Sequence, residues 1–183
     1  MPQAAQCKVI VITGPIASGK STVARELARK LERAGVQAGI IDLDVVNDTL
    51  RSDGQETNEA SWPLARREAA TLANTFLAEG RAVVVAEGSF NTPGDRASFA
   101  QYLDTGVDPL YVTLRVSYEE ALRRAQTDPT RGVSRDPAFL GRYFGAVGHG
   151  LETVPDTDLV IETERMSPTF AAAAIASLVT PDS

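Results

Sequence analysis

The chain has 183 residues and a formal net charge of −6, from 18 basic and 24 acidic side chains. This length favours a single domain over residues 1–183 with its own core, and the acidic balance argues against broad contact with nucleic acid or an anionic membrane. Cys7 is the only cysteine, and the apolar run near the N-terminus is too short for a signal core or a membrane span. We therefore expect a cytoplasmic protein, and its oligomeric state stays open.

Two kinds of apolar pattern alternate along the chain: continuous runs, and apolar residues at helical spacing. Short continuous apolar runs predict buried strands, which fall at 9–13, 38–43, 82–87, 110–116 and 159–163. Helical spacing predicts helices between them, at 20–34, 44–51, 61–79, from 92, 117–126, from 136 and from 167. This alternation predicts an α/β fold in three layers, a five-stranded parallel sheet with helices on both faces. In the last helix, Phe170, Ala174 and Leu178 are expected to share one side, and the alanine run at 171–174 indicates close helix packing.

The segment between the first strand and the first helix carries the most specific motif. Residues 14–21 have the sequence GPIASGKS, a complete G-x-x-x-x-G-K-[ST] phosphate-binding motif. In such a loop the backbone N–H groups turn towards an anion, and the helix N-terminus adds partial positive charge. We expect Lys20 to reach the β- and γ-phosphates and Ser21 to bind Mg²⁺, with the nucleotide site completed by Gly14, Ala17, Ser18, Gly19 and Thr22. An ordinary glycine turn with an exposed lysine is the alternative.

With this motif in place, the sequence resembles the P-loop kinases of small metabolites, such as shikimate kinase, gluconate kinase, adenylyl-sulfate kinase and chloramphenicol phosphotransferase. The resemblance extends from the loop to the last predicted strand. It implies a P-loop NTPase fold, ATP and Mg²⁺, and transfer of the γ-phosphoryl group to a hydroxyl of a small metabolite or antibiotic-like acceptor. The alternatives are a nucleotide-binding regulatory ATPase without such an acceptor, and a GTPase, which is disfavoured because the sequence lacks an N-K-x-D element.

Acidic residues end two of the predicted strands. Alternation would place the carboxylates of Asp42 and Asp44 on one side of the second strand, at the edge where open α/β sheets bind ligands. By resemblance to the D-x-D element of these kinases, Asp44 would bind the acceptor and act as the base, and Asp42 would lie near Mg²⁺. Glu87 ends the third strand, where the resemblance implies an acid that assists Mg²⁺, although most relatives have Asp there. The alternatives are that Asp44 only caps the next helix and that Glu87 is a solvated strand end.

Arginines are concentrated in the second half of the chain. Residues 115–142 contain six arginines against four acidic residues, and the polar segment 127–136 predicts a mobile lid. Arg124 and Arg131 resemble a pair in shikimate kinase, in which the first lies against adenine and the second closes over the phosphates as a catalytic group. Arg135 is a second candidate for the transferring phosphate. Guanidinium suits these tasks because it stacks by its face and binds phosphate by its edge; a solvated surface loop is the alternative.

Other residues give weaker indications. Arg66 and Arg67 lie on a helix where related kinases often bind an anionic group of the acceptor. Phe90 is a candidate for the acceptor pocket, with packing as the expected role. By resemblance, the backbone of Thr163 and Glu164 would contact the nucleotide base.

Overall fold

The protein is described by a computed structural model over residues 8–50, 61–152 and 157–179. Five parallel strands form one sheet in the order β2-β3-β1-β4-β5. They are β1 (Lys8–Thr13), β2 (Ala38–Asp42), β3 (Val83–Glu87), β4 (Leu110–Arg115) and β5 (Leu159–Glu162). The predicted α/β architecture is therefore confirmed, and each strand differs from its predicted range by one residue at one end.

Helices cover both faces of the sheet. In the described ranges they are α1 (Lys20–Arg33), α2 (Leu43–Leu50), α3 (Ser61–Ala78), α4 (Pro93–Ala100), α5 (Tyr118–Thr127), α6 (Pro137–Glu152) and α7 (Pro168–Ser177). A short 3₁₀ helix at Val133–Arg135 lies inside the segment predicted as a lid. None of the helices in these ranges is long and apolar enough to cross a membrane.

The central strand β1 supplies both hydrophobic cores. Ile10 and Ile12 pack with the side chains of α1 and α7, whereas Val9 and Val11 pack with those of α3 and α4. All four are fully buried. Successive side chains of a strand point to opposite faces, so a strand covered on both sides has no polar position. This explains the uninterrupted apolar sequence that leads into the phosphate-binding motif.

Helix α7 packs on the protein through small residues, which include the first two of the predicted alanine run. Phe170 is 73% exposed and Leu178 is 42% exposed. The helix instead buries a face of small residues, together with one isoleucine, in the core that it shares with α1: Ala171, Ala172, Ile175 and Ala176. Alanine side chains let two helices approach closely, and this close approach leaves the large side chains outside.

The register of the sheet brings acidic residues to one level at its C-terminal edge. Glu87 pairs with Ile12 on one side and with Asp42 on the other. However, β2 ends at Asp42 and α2 begins at once, so Asp44 lies in the first turn of α2. The expectation that strand alternation places the Asp42 and Asp44 carboxylates on one side of β2 is therefore wrong. The reason is that Asp42 Oδ1 accepts the N–H groups of Asp44 (2.9 Å) and Val45 (3.2 Å) and starts the helix.

Arg66 on α3 holds the segment that follows β3. Its buried guanidinium donates two hydrogen bonds to the Ser89 carbonyl, at 2.8 and 3.1 Å, and pairs with Asp95 at 2.9 Å. Asp95 in turn accepts the N–H groups of Asn91 and Thr92 and completes a capping box for α4. Arg66 therefore acts as a structural anchor for residues 89–95.

We expect Arg66→Met to lower the free energy of unfolding by about 3 kcal/mol, because it leaves Asp95 without its buried partner. Arg67→Met is the matched control on the same helix. The Arg67 side chain is 56% exposed and lies over the Tyr102 ring, so its loss should cost about 0.5 kcal/mol or less. Urea denaturation of both variants measures the difference, and equal stabilities would contradict the anchoring role.

Candidate active site

The loop at residues 14–19 has the backbone of an anion-binding loop. Gly14 and Gly19 have φ angles of 154° and 95°, and Ala17 has a positive φ of 62°. A Cβ on Gly14 would lie 2.6 Å from the Leu114 carbonyl oxygen, so no side chain fits there. Helix α1 begins at Lys20 with no side-chain cap and no acid in its first turn. Its N–H groups and its partial positive charge therefore face the loop without compensation from the described residues.

Lys20 lies where the motif predicts and is turned back over its own loop. Its Nζ donates to the carbonyl oxygens of Gly14 (2.9 Å) and Pro15 (3.1 Å). Desolvation lowers the pKa of Lys20, while the nearby carboxylates of Glu87 and Asp44 oppose that shift. A partly desolvated ammonium that is bonded to neutral carbonyls gains strongly from an anionic partner. The arrangement favours a phosphate at this position.

A buried hydroxyl of the loop points to the same conclusion. Ser18 is fully buried, and its Oγ has no hydrogen-bond partner among the residues described. An unsatisfied buried hydroxyl costs free energy that a bound ligand can recover. Ser18 also lines the cavity beside the loop. The loop is therefore more favourable with a ligand than without one.

Ser21 and Glu87 meet at the end of β3 and suit Mg²⁺. The Ser21 side chain lies close enough to the Glu87 carboxylate, which is only 4% exposed, to affect its pKa. Burial raises the pKa of Glu87, and Ser21 opposes that shift. No group of three or more His, Cys, Asp or Glu residues in the described ranges could hold a metal unaided. Mg²⁺ prefers oxygen ligands and often shares them with phosphates, so Ser21 as ligand with Glu87 behind it fits this ion.

Asp44 is one of three carboxylates that lie near Lys20. Asp42, Asp44 and Glu87 are all close enough to Lys20 to raise its pKa. Although Asp44 keeps an exposed surface, the surrounding protein desolvates its carboxyl group and raises the pKa. Lys20 lowers it, and the charges of Asp42 and Asp48 raise it further. A carboxylate with a raised pKa is a stronger base than an ordinary aspartate, which suits proton transfer.

A cavity of about 390 Å³ lies beside the loop. Its lining includes seven of the predicted site residues: Ala17, Ser18, Gly19, Thr22, Arg124, Arg131 and Thr163. Arg124 joins three parts of this wall, because it donates to Glu120 Oε1 (2.7 Å), the Thr163 carbonyl (2.9 Å) and the Ala17 carbonyl (3.3 Å). The size and position of the cavity suit the nucleoside part of a nucleotide whose phosphates occupy the loop.

The two other lid arginines are placed differently. Arg131 lines the cavity, pairs with Asp128 at 3.3 Å, and lies close enough to Lys20 to lower its pKa. Arg135 is exposed, and its guanidinium donates to the Gln126 carbonyl at the end of α5 (3.4 Å). The structure therefore brings Arg131 to the site and leaves Arg135 outside the cavity lining.

Several lining residues were not predicted from the sequence. Glu120 and Asp128 hold the arginines, and Met166 and Pro168 form the apolar wall. The position of the wall depends on how the turn after β5 faces α5, and a linear motif does not carry that information.

Known proteins share this architecture. The profile of a family described as "AAA domain" matches residues 9–136. The chain belongs to this family. An adenylyl-sulfate kinase of Paraburkholderia xenovorans (strain LB400) is 32% identical to this AAA-domain protein over 89% of the chain and 87% of the relative. A cytidylate kinase of Natronomonas pharaonis is 27% identical over 93% of the chain and 88% of the relative.

Solved structures share the fold of this chain. The APS kinase of Mycobacterium tuberculosis, in complex with AMPPNP and APS, has a TM-score of 0.69 at 24% identity and covers 94% of this chain and 97% of its own. The tunicamycin resistance protein of Deinococcus radiodurans has a TM-score of 0.64 at 17% identity, over 97% and 98% of the two chains. The resemblance to P-loop kinases is confirmed. The kinases among the homologues support nucleotide-dependent phosphoryl transfer by this AAA-domain protein.

We expect Glu87→Gln to stabilise the ligand-free AAA-domain protein at pH 7.5. The pKa of Glu87 is higher in the folded state than in the unfolded state, so ionisation costs the folded state stability as the pH rises through that interval. The gain in melting temperature should therefore shrink as the pH falls below 4.5, because protonation of Glu87 then approaches completion in both states. The same variant should weaken Mg²⁺-dependent ATP turnover by about 10- to 100-fold.

Glu79→Gln is the control, because Glu79 is an exposed acid beyond the end of α3. It should change neither the melting temperature nor turnover. A destabilised Glu87→Gln protein at pH 7.5 would contradict the assignment of a costly buried carboxylate.

Proposed function

We propose that this protein is an ATP-dependent kinase that transfers the γ-phosphoryl group to a hydroxyl of a small acceptor. One observation carries the proposal: Lys20 lies between a phosphate-binding loop and the carboxylates of Asp44 and Glu87. Binding of a nucleotide needs only the loop. A base with a raised pKa beside the phosphate position is what transfer to a hydroxyl requires in addition.

Each of these residues has a separate role in the transfer. Asp44 orients the acceptor hydroxyl and takes its proton as the hydroxyl oxygen attacks the γ-phosphorus and the bond to the β,γ-bridging oxygen breaks. Lys20 and Arg131 stabilise the negative charge on the transferring group and on the departing ADP. Mg²⁺, held through Ser21 with Glu87 behind it, would neutralise charge on the β- and γ-phosphates. Arg124 would hold the nucleoside wall of the cavity.

A nucleoside monophosphate is the second candidate acceptor, because the cytidylate kinase relative is 27% identical over 93% of the chain. A panel of adenylyl sulfate, gluconate, shikimate, chloramphenicol and CMP separates the possibilities. ADP release detects turnover, and mass spectrometry locates the added phosphoryl group. ATP hydrolysis with no phosphorylated product from any compound would favour a regulatory ATPase.

We expect Lys20→Ala and Asp44→Ala to fail in different ways. Loss of Lys20 removes the charge that holds the phosphates, so ATP binding measured by calorimetry should weaken at least tenfold. Loss of Asp44 removes the base, so ATP affinity should stay within about twofold while transfer falls by roughly 10²- to 10⁴-fold. Full transfer activity in Asp44→Ala would refute the assignment of the base.

Arg131→Ala should slow transfer about 100-fold or more with little loss of ATP affinity, because its guanidinium stabilises charge that develops during transfer. Arg142→Ala, an exposed arginine on α6, is the control and should behave as wild type. Single-turnover rates and calorimetry give the two quantities. Equal losses in rate and affinity would show that Arg131 only binds the nucleotide.

A further inference from the structure

Glu120 occupies the position of a helix-capping acid, but its carboxylate has other partners. Ser117 is the N-cap of α5, and its hydroxyl accepts the backbone N–H of Glu120 at 3.2 Å. In an S-x-x-E pattern such as 117–120, the glutamate usually returns the bond to the N–H of the cap residue. Here the Ser117 N–H donates instead to Glu164, in the turn after β5. Glu120 is thereby released from the cap, and it lines the cavity beside the phosphate-binding loop.

Two arginines share the Glu120 carboxylate. Oε1 accepts Arg124 Nε at 2.7 Å, and Oε1 and Oε2 each accept one nitrogen of Arg123 at 2.6 Å. The hydrogen bonds from Arg123, followed by that from Arg124, lower the pKa of Glu120 to about 2. The carboxylate is thus ionised at physiological pH, and such charge-assisted bonds are stronger than neutral ones. The Arg123 side chain is 63% exposed, whereas that of Arg124 is only 27% exposed, so Arg124 is the partner that belongs to the cavity wall.

The hydrogen bonds of Arg124 leave its flat face, rather than its N–H edge, for a ligand. Nη2 donates to the Thr163 carbonyl at 2.9 Å, and Nη1 donates to the Thr163 hydroxyl at 3.1 Å and to the Ala17 carbonyl at 3.3 Å. One bond from Nε, two from Nη1 and one from Nη2 engage four of the five N–H groups. All five lie in the plane of the guanidinium, so these contacts fix the plane. The face is the surface on which a planar ring can stack.

We propose that Glu120 is a positioning residue for the nucleoside: it holds the Arg124 guanidinium so that the flat face stacks on the nucleotide base. This inference rests on the proposed function, in which the phosphates occupy the loop and the nucleoside occupies this cavity. Met166 and Pro168 in the same lining add apolar surface for a planar ring. Without Glu120, the Nε side of the guanidinium is no longer held. The plane of Arg124 then varies, and the base loses part of its stacking.

Glu120→Ala removes the carboxylate and tests this role by calorimetry. With ATP and Mg²⁺, the variant should bind about tenfold more weakly than the wild type. Inorganic tripolyphosphate with Mg²⁺ supplies the phosphates without a nucleoside, so its affinity should stay within about twofold. A general disturbance of the phosphate-binding loop would weaken both compounds. Loss of base stacking weakens ATP alone.

A double-mutant cycle tests whether Glu120 acts through Arg124. In an Arg124→Ala background, Glu120→Ala should weaken ATP binding by about twofold at most, because no guanidinium is left to hold. Glu119→Ala is the matched control, since Glu119 is an exposed acid in the same first turn of α5. It should bind both compounds as the wild type does. If Glu120→Ala lowers the melting temperature, Glu120→Gln keeps the shape of the side chain without its charge and should still weaken ATP alone, by about threefold.

Three outcomes oppose the inference, and they are distinguishable. Equal losses with ATP and tripolyphosphate, or an unchanged ATP affinity in Glu120→Ala, would overturn the positioning role and leave the kinase proposal standing. Additive losses in the cycle would show that Glu120 acts independently of Arg124, which overturns the proposed route. A wild-type protein that binds neither ATP nor tripolyphosphate would overturn the proposed function, and this inference with it.

Discussion

Backbone pairing between β1, β2 and β3 places Ile12, Glu87 and Asp42 side by side, and each chemical group of the candidate site takes its position from that register. The loop leaves β1 one residue beyond Ile12, so Ser21 and Lys20 return to the level at which Glu87 ends its strand. A shift of one residue in either pairing would turn Glu87 or Asp42 towards the opposite face of the sheet. The buried apolar residues on both faces of β1 prevent that shift, since it would expose one core and bury charges in the other.

The same arrangement lowers the stability of the fold when no ligand is bound. Glu87 is buried with a raised pKa, Lys20 is desolvated with a lowered pKa, and the Ser18 hydroxyl has no partner among the described residues. Ala17 adds a left-handed backbone conformation. A phosphate with Mg²⁺ would supply the missing charge and hydrogen bonds to several of these groups at once. These groups lower the stability of the ligand-free fold. Binding of the phosphate and Mg²⁺ would recover that free energy, which is the physical basis of the affinity for them, as is common at functional sites.

The sequence predicted the phosphate-binding loop more accurately than the residues expected to bind the acceptor, because the loop is formed by consecutive residues. The motif at residues 14–21 specifies its loop within eight consecutive positions, and the apolar runs specify the strands beside it. Asp44 was placed wrongly because strand alternation was extended beyond Asp42, whose own side chain starts the next helix. Arg66 was a candidate for acceptor binding, but its ion pair with Asp95 joins positions far apart in the chain. Such contacts leave no periodic signal in the sequence.

The segment after β3 illustrates the same limit. The Thr13 hydroxyl at the end of β1 donates to Asn91 Oδ1 at 2.9 Å, and these two segments meet only because β1 and β3 are neighbours in the sheet. The phosphate-binding loop comes from one continuous segment, so it can be kept unchanged while the surrounding segments vary. Asp44 and Asn91 come from two separate connections between sheet elements, and each connection can change without disturbing the core. Homologues with a common nucleotide site can therefore differ in their acceptors, and in this chain the positive charge of Arg66 is already compensated by Asp95. The carboxylate of Asp44 remains at this edge, where it can accept a hydrogen bond from a hydroxyl but does not favour a second anion.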